Sequence, residues 1–151
     1  MLIARLIMMI CLLALTSSAA AAAAVPMQIT SAWIRDAPPS APMRAGYALL
    51  VNNSDAEIEI VSASSPAFGS VEMHETRVEN DVARMVELPS IKIAAHQSFE
   101  FAPGGAHLML MRPKGALQKG DRATITLIMK SGASVEAMFV VGAPPISSGT
   151  K

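Results

Sequence analysis

Apolar and polar residues alternate with a period of two along most of the chain, and no segment repeats its apolar positions at helical spacing. Residues 28–35, 46–51, 57–61, 71–78, 82–88, 91–93, 98–101, 107–111, 122–130 and 134–141 each read as a strand. Polar or glycine-rich clusters punctuate them: Asn52-Asn53-Ser54-Asp55, Asn80-Asp81, Pro103-Gly104-Gly105, Lys119-Gly120-Asp121 and Ser131-Gly132. Ser64-Ser65-Pro66 and Phe68-Gly69 read as further breaks. Residues 36–44, with Pro38, Pro39 and Pro42, read as a surface loop, because proline cannot donate to a central ladder. Many short strands at regular spacing predict an all-β antiparallel sandwich or barrel of one domain, with no internal repeat.

The N-terminus departs from this pattern. Residues 1–24 carry one charge, Arg5, then an apolar run over 6–15, then Thr16-Ser17-Ser18 and six alanines. That order of charge, apolar stretch and small residues is the design of a secretory signal peptide, with cleavage expected between Ala20 and Ala24. Its strongly apolar part is about half of the ~20 residues a membrane span needs. The expected organisation is a cleaved leader over 1–24, a β domain over 25–141 and a flexible tail over 142–151. The implied location is the periplasm, without stable membrane insertion after cleavage.

Composition sharpens the picture once the leader is set aside. Lysine plus arginine balance aspartate plus glutamate at 12 each, and aromatics are 4% of the chain. Neither an electrostatic footprint for nucleic acid or anionic membrane nor a base-stacking platform is present. The single cysteine, Cys11, lies inside the leader, and Met9-Ile10 before it do not suit a lipoprotein signal. The exported domain therefore has no disulfide, no thiolate-based zinc or iron–sulfur site, and no cysteine for a blue-copper centre. Three of the 11 methionines belong to the leader.

Two clusters carry candidate chemistry. A two-residue turn at Asn80-Asp81 pairs residue 79 with 82, 77 with 84 and 74 with 87. His74 and Met85 then share a face as diagonal neighbours, roughly 7–8 Å apart. In the strand over 107–111, His107, Met109 and Met111 face one way, and Leu108 and Leu110 take the core face. Neutral imidazole and thioether form a soft ligand set that suits Cu(I) better than zinc, magnesium or calcium. Two histidines and two methionines leave the ion's charge uncompensated, which favours a site near the surface. Taken singly, a strand methionine is more often packing than ligand. Met27, Met129 and Met138 are assigned to core or general packing on that ground, and Met73 to the core because it lies on the face opposite His74. His96, at a turn, reads as solvent-exposed, and Met43 as a residue of the proline loop that could flank a site. On these residues alone, a metal site and a set of packed methionines with solvated histidines both stand.

The spacing adds a resemblance. His74, ten residues, Met85, twenty-one residues, then His107-Leu108-Met109 is similar to the H-x10-M-x21-H-x-M signature of the periplasmic CuA chaperone family, PCuAC. Val71-Glu72-Met73-His74-Glu75 resembles that family's V-E-x-H-E segment, and residues 103–111 resemble its P-G-G-x-H-L-M-L-M segment. Ala32-Trp33-Ile34-Arg35 and Ala45-Gly46-Tyr47 resemble its opening. Asn80-Asp81 stands where Asn-Gly is common. The resemblance spans about residues 28 to 141. It implies a cupredoxin-like β-sandwich and Cu(I) held by His74, Met85, His107 and Met109. It also implies delivery to the CuA centre in subunit II of a haem–copper oxidase, with Sco-type thiol proteins on the same pathway. The expected protein is a monomeric carrier and not an enzyme. Met111 stands outside the four-residue signature on the same face, a candidate auxiliary or transfer ligand. The tail from Gly142 has neither histidine nor methionine, which predicts one principal site. The competing readings are an oxidative copper enzyme, a copper storage or tolerance protein, and a non-metal binding module with the methionines as an apolar patch.

Overall fold

The computed structural model describes residues 26–144. The expected leader and most of the expected tail lie outside the described residues. Among the described residues ten strands form in chain order: β1 Met27–Arg35, β2 Met43–Asn52, β3 Ile58–Ser64, β4 Phe68–Glu79, β5 Val82–Glu87, β6 Ile91–Ile93, β7 Ser98–Phe101, β8 Ala106–Pro113, β9 Arg122–Met129 and β10 Ser134–Gly142. No helix forms among the described residues, so none is long and apolar enough to cross a membrane.

The all-β expectation holds, and the pairing adds two features. The hydrogen-bonded order is β5-β4-β8-β2-β1-β10-β9-β3-β6, with β7 on β2. A β3–β4 contact at Ala63 and Val71 closes the run from β4 to β3 into a barrel. β1 and β10 run parallel, Trp33 beside Val140 and Ile34 beside Val141, within an otherwise antiparallel sheet. Closure removes most of the exposed strand edge, leaving β5, β6 and β7 as short outer strands.

Alternation decides what enters the barrel. In β9, Ala123, Ile125, Leu127 and Met129 point inward, and in β8 Leu108 and Leu110 are fully buried. Met27, Met73 and Met129 are core residues, as expected. Met138 is not: it is 54% exposed, because Phe139 and Val141 on either side of Val140 take the inward positions of β10. β1 breaks phase at Ser31, which has φ 51°, and the register with β2 shifts between Thr30 and Trp33. This bulge turns Trp33 to the outer face while Ile34 stays in the core.

Several boundaries differ from the sequence reading. Met43 and Arg44 belong to β2, not to the loop, pairing with Met111 and Leu110. Arg44 is buried on the core side, which its polarity hides from a pattern reading. Its guanidinium donates to the carbonyls of Ala37, Pro38 and Leu117 at 3.1, 3.0 and 2.8 Å, and so ties the proline loop to the barrel. Phe68-Gly69 is no break, since Phe68 is buried and starts β4 opposite Pro113. Gly142 is still in β10, paired with Arg35.

The β4–β5 hairpin has the expected register, with Glu79 opposite Val82, Arg77 opposite Arg84 and His74 opposite Glu87. Asn80 and Asp81 both adopt positive φ, 51° and 62°, as a type I′ turn requires. Asp81 carries a cost there that glycine does not. Asp81→Gly is expected to raise stability by about 0.5 kcal/mol, read as a higher urea midpoint with an unchanged slope.

Candidate metal centre

The site is a grid on the outer face of β2, β8, β4 and β5. Its middle row crosses the sheet: His107 of β8 is directly opposite His74 of β4, and His74 is directly opposite Glu87 of β5. The imidazole rings meet edge to face, with centroids 6.2 Å apart. One row along lie Met109 of β8 and Glu72 of β4, which are paired with each other. One row the other way, Thr76 of β4 pairs with Met85 of β5. Met109 and Met85 therefore stand at opposite diagonals of His74. The two clusters recognised in the sequence are brought together by the β4–β8 ladder, a pairing no local pattern reveals.

The four residues differ in accessibility. His107 is 6% exposed and the His74 side chain 16% exposed, whereas Met85 is 62% exposed on the outer strand. Tyr47 follows Gly46, the partner of Leu108, which puts it beside His107 in the sheet. Trp33 pairs with Tyr47, their rings 4.6 Å apart, and the Arg35 guanidinium lies 5.5 Å from the Tyr47 ring. A wall of aromatic surface thus continues the histidine row on its inner side, and Met85 stands at its open side.

Hydrogen bonds fix the state of both imidazoles. His107 Nδ1 is 3.1 Å from the Gly105 carbonyl oxygen, which can only accept, so Nδ1 carries the proton and Nε2 presents a lone pair. His74 Nε2 is 3.1 Å from a Glu72 carboxylate oxygen, so Nε2 donates and Nδ1 is the free acceptor. That Nδ1 is buried and has no hydrogen-bond partner. An unpartnered buried acceptor is costly, and a soft cation beside it would satisfy it. The residues present therefore fit a metal held by nitrogen and sulfur. Among the described residues, no group of three or more histidine, cysteine, aspartate or glutamate side chains is placed to hold a metal ion, so thioethers would have to complete the set.

Glu72 and Glu87 were not among the residues singled out by the sequence. Both sit on the outer face by parity with His74, and Glu72 touches it. Glu87 stands in the histidine row and Glu72 in the adjacent one, so negative charge borders this face. The parity of Glu72 and His74 on one strand was the available signal. Met73, between them, faces the core as expected. His96 is exposed at a turn, as expected, 2.9 Å from the exposed Asp55 carboxylate and on none of these strands.

Comparison with known proteins agrees with this architecture. Residues 27–141 match the LpqE-like family, described as "Putative lipoprotein LpqE-like". The chain is 32% identical over 109 residues to "Putative lipoprotein Lxx21020" of Leifsonia xyli subsp. xyli, an alignment covering 72% of this chain and 64% of that protein. The chain thus spans a little under two thirds of that curated relative. Among solved structures, the solution structure of CuI-DR1885 from Deinococcus radiodurans is 31% identical, with a TM-score of 0.63 over 81% of this chain and 82% of that one. The "Copper-bound PCuAC domain from PmoF2" has the same fold at 24% identity, with a TM-score of 0.64 over 79% of this chain and 94% of that one. By sequence match over residues 27–141 the chain belongs to the LpqE-like family, and it shares the fold of the PCuAC domain of PmoF2.

Proposed function

We propose that the protein is a periplasmic Cu(I) carrier that holds one ion with His74, Met85, His107 and Met109. The observation that carries this reading is the directly paired His74 and His107, each with one ring nitrogen free of hydrogen bonds and a thioether at each diagonal of His74. The Cu(I) form of the 31% identical Deinococcus radiodurans protein supports the choice of metal. Imidazole and thioether donors stabilise Cu(I) over Cu(II), and they survive an oxidising compartment where thiols would not. Met85, on an exposed outer strand, closes over the ion and is the first donor to let go.

The acceptor we propose is the CuA centre of oxidase subunit II, with Sco-type thiol proteins on the same route. The carrier has no chemistry of its own and acts as a soluble monomer. The relative named above is called a lipoprotein. Here the only cysteine, Cys11, sits within the apolar run of residues 6–15, which favours a cleaved leader over a lipid anchor. X-ray absorption on the Cu(I)-loaded protein tests the site, with mixed nitrogen and sulfur scattering and about two sulfurs per copper expected. Scattering by nitrogen and oxygen alone would rule out the thioethers and with them this reading.

A further inference from the structure

The outer grid continues beyond the four residues. One row past Met109 and Glu72, Met43 of β2 pairs directly with Met111 of β8, and Met111 pairs with Ser70 of β4. Directly opposed residues in antiparallel strands have Cβ atoms about 4.5–5.5 Å apart, so two flexible thioethers there can meet at one ion. Met43 is 51% exposed, whereas Met111 is partly covered. The strand rise places this pair ~7 Å from the Met109 row.

Charge is graded along the same rows. The Arg112 guanidinium donates to Ser70 Oγ at 3.0 Å and so puts a positive charge at the Met43–Met111 row. The next row holds the Glu72 carboxylate opposite Met109. A monovalent cation at the methionine pair is therefore held loosely and drawn toward Met109 and the histidines. Such a pair is poorly suited to storage and well suited to capture.

We infer that Met43 and Met111 form a second, weaker Cu(I) site, an entry point from which the ion steps through Met109 into the histidine centre. The inference rests on the Cu(I) reading above, and no oxidation or reduction occurs in the step: Cu(I) exchanges thioether ligands and keeps its charge.

The test uses the purified chain with its methionine methyl groups followed by NMR. One equivalent of Ag(I), a redox-inert stand-in for Cu(I), is expected to shift Met85 and Met109, and further Ag(I) to shift Met43 and Met111. In a companion experiment, the Met43→Leu/Met111→Leu variant is loaded from a Cu(I)–chelator complex. Its loading rate should fall by about tenfold or more, because a preceding site makes the second binding step intramolecular. Its equilibrium affinity for the first ion should match that of the unaltered protein. Unshifted Met43 and Met111 methyls at excess Ag(I), or an unchanged loading rate, would overturn the entry site and leave the carrier reading intact. Failure of the first equivalent to perturb Met85 and Met109 would instead overturn the carrier reading.

Discussion

Replacing His107 with Ala and Met109 with Leu together is expected to abolish Cu(I) binding while the barrel remains folded. The two residues sit on one strand and supply half of the proposed donors, one from the histidine row and one from the row beside it. Loss of groups that merely orient a ligand costs 10–100-fold in metal affinity, so removing two ligands should exceed about 100-fold. The fold should survive because both side chains face outward, and the inward positions of β8, Leu108 and Leu110, are untouched. Leucine keeps the apolar volume of Met109. Competition with a Cu(I) chelator measures the affinity, and far-ultraviolet circular dichroism checks the sheet. A folded variant that competes as well as the unaltered protein would remove these residues from the site.

Glu72→Ala should weaken Cu(I) binding by about 10–100-fold although Glu72 is not itself a proposed ligand. Its carboxylate fixes which nitrogen of His74 carries the proton and supplies negative charge beside the ion. Glu72→Gln separates the two contributions, since its amide oxygen can still accept from His74 Nε2 but brings no charge. The glutamine variant should fall between alanine and the unaltered protein. The carboxyl group is partly exposed, at 36% for its side chain, so its effect should shrink as salt is raised. An alanine variant with unaltered affinity would reduce the 3.1 Å contact to a surface pair of no consequence.

These two predictions mark where the sequence was sufficient and where it was not. The register of the β4–β5 hairpin followed from Asn80-Asp81 alone, because a two-residue turn fixes every pair above it. The division of β8 into Leu108 and Leu110 inside and His107, Met109 and Met111 outside followed from alternation. The meeting of His74 with His107 did not, since a ladder between strands over thirty residues apart leaves no local trace in composition or period. Arg44 was misplaced for a related reason. A buried arginine is acceptable only where carbonyls converge on it, and those of Ala37, Pro38 and Leu117 come from two separate loops. Glu72 lies within a recognised segment, but its contact with His74 is a side-chain contact that no strand pattern announces. Residue type favours packing for Met138, and the inward positions of Phe139 and Val141 leave it exposed instead.

The hairpin has a mechanical consequence. Among the described residues β5 pairs only with β4 and lies at the end of the strand order, whereas β4 and β8 are both staves of the closed barrel. Three of the four proposed donors are thus mounted on a rigid wall and the fourth on a flap. Local opening of an outer strand costs far less than global unfolding. The flap can peel back with Met85 while the wall keeps both histidines and Met109 in register. In the proposed carrier, unloading would then have two unequal stages, a rapid loss of the Met85 sulfur followed by slower exchange of the three donors on the wall, and an acceptor offering its own donor in Met85's place would take the ion without its ever being free.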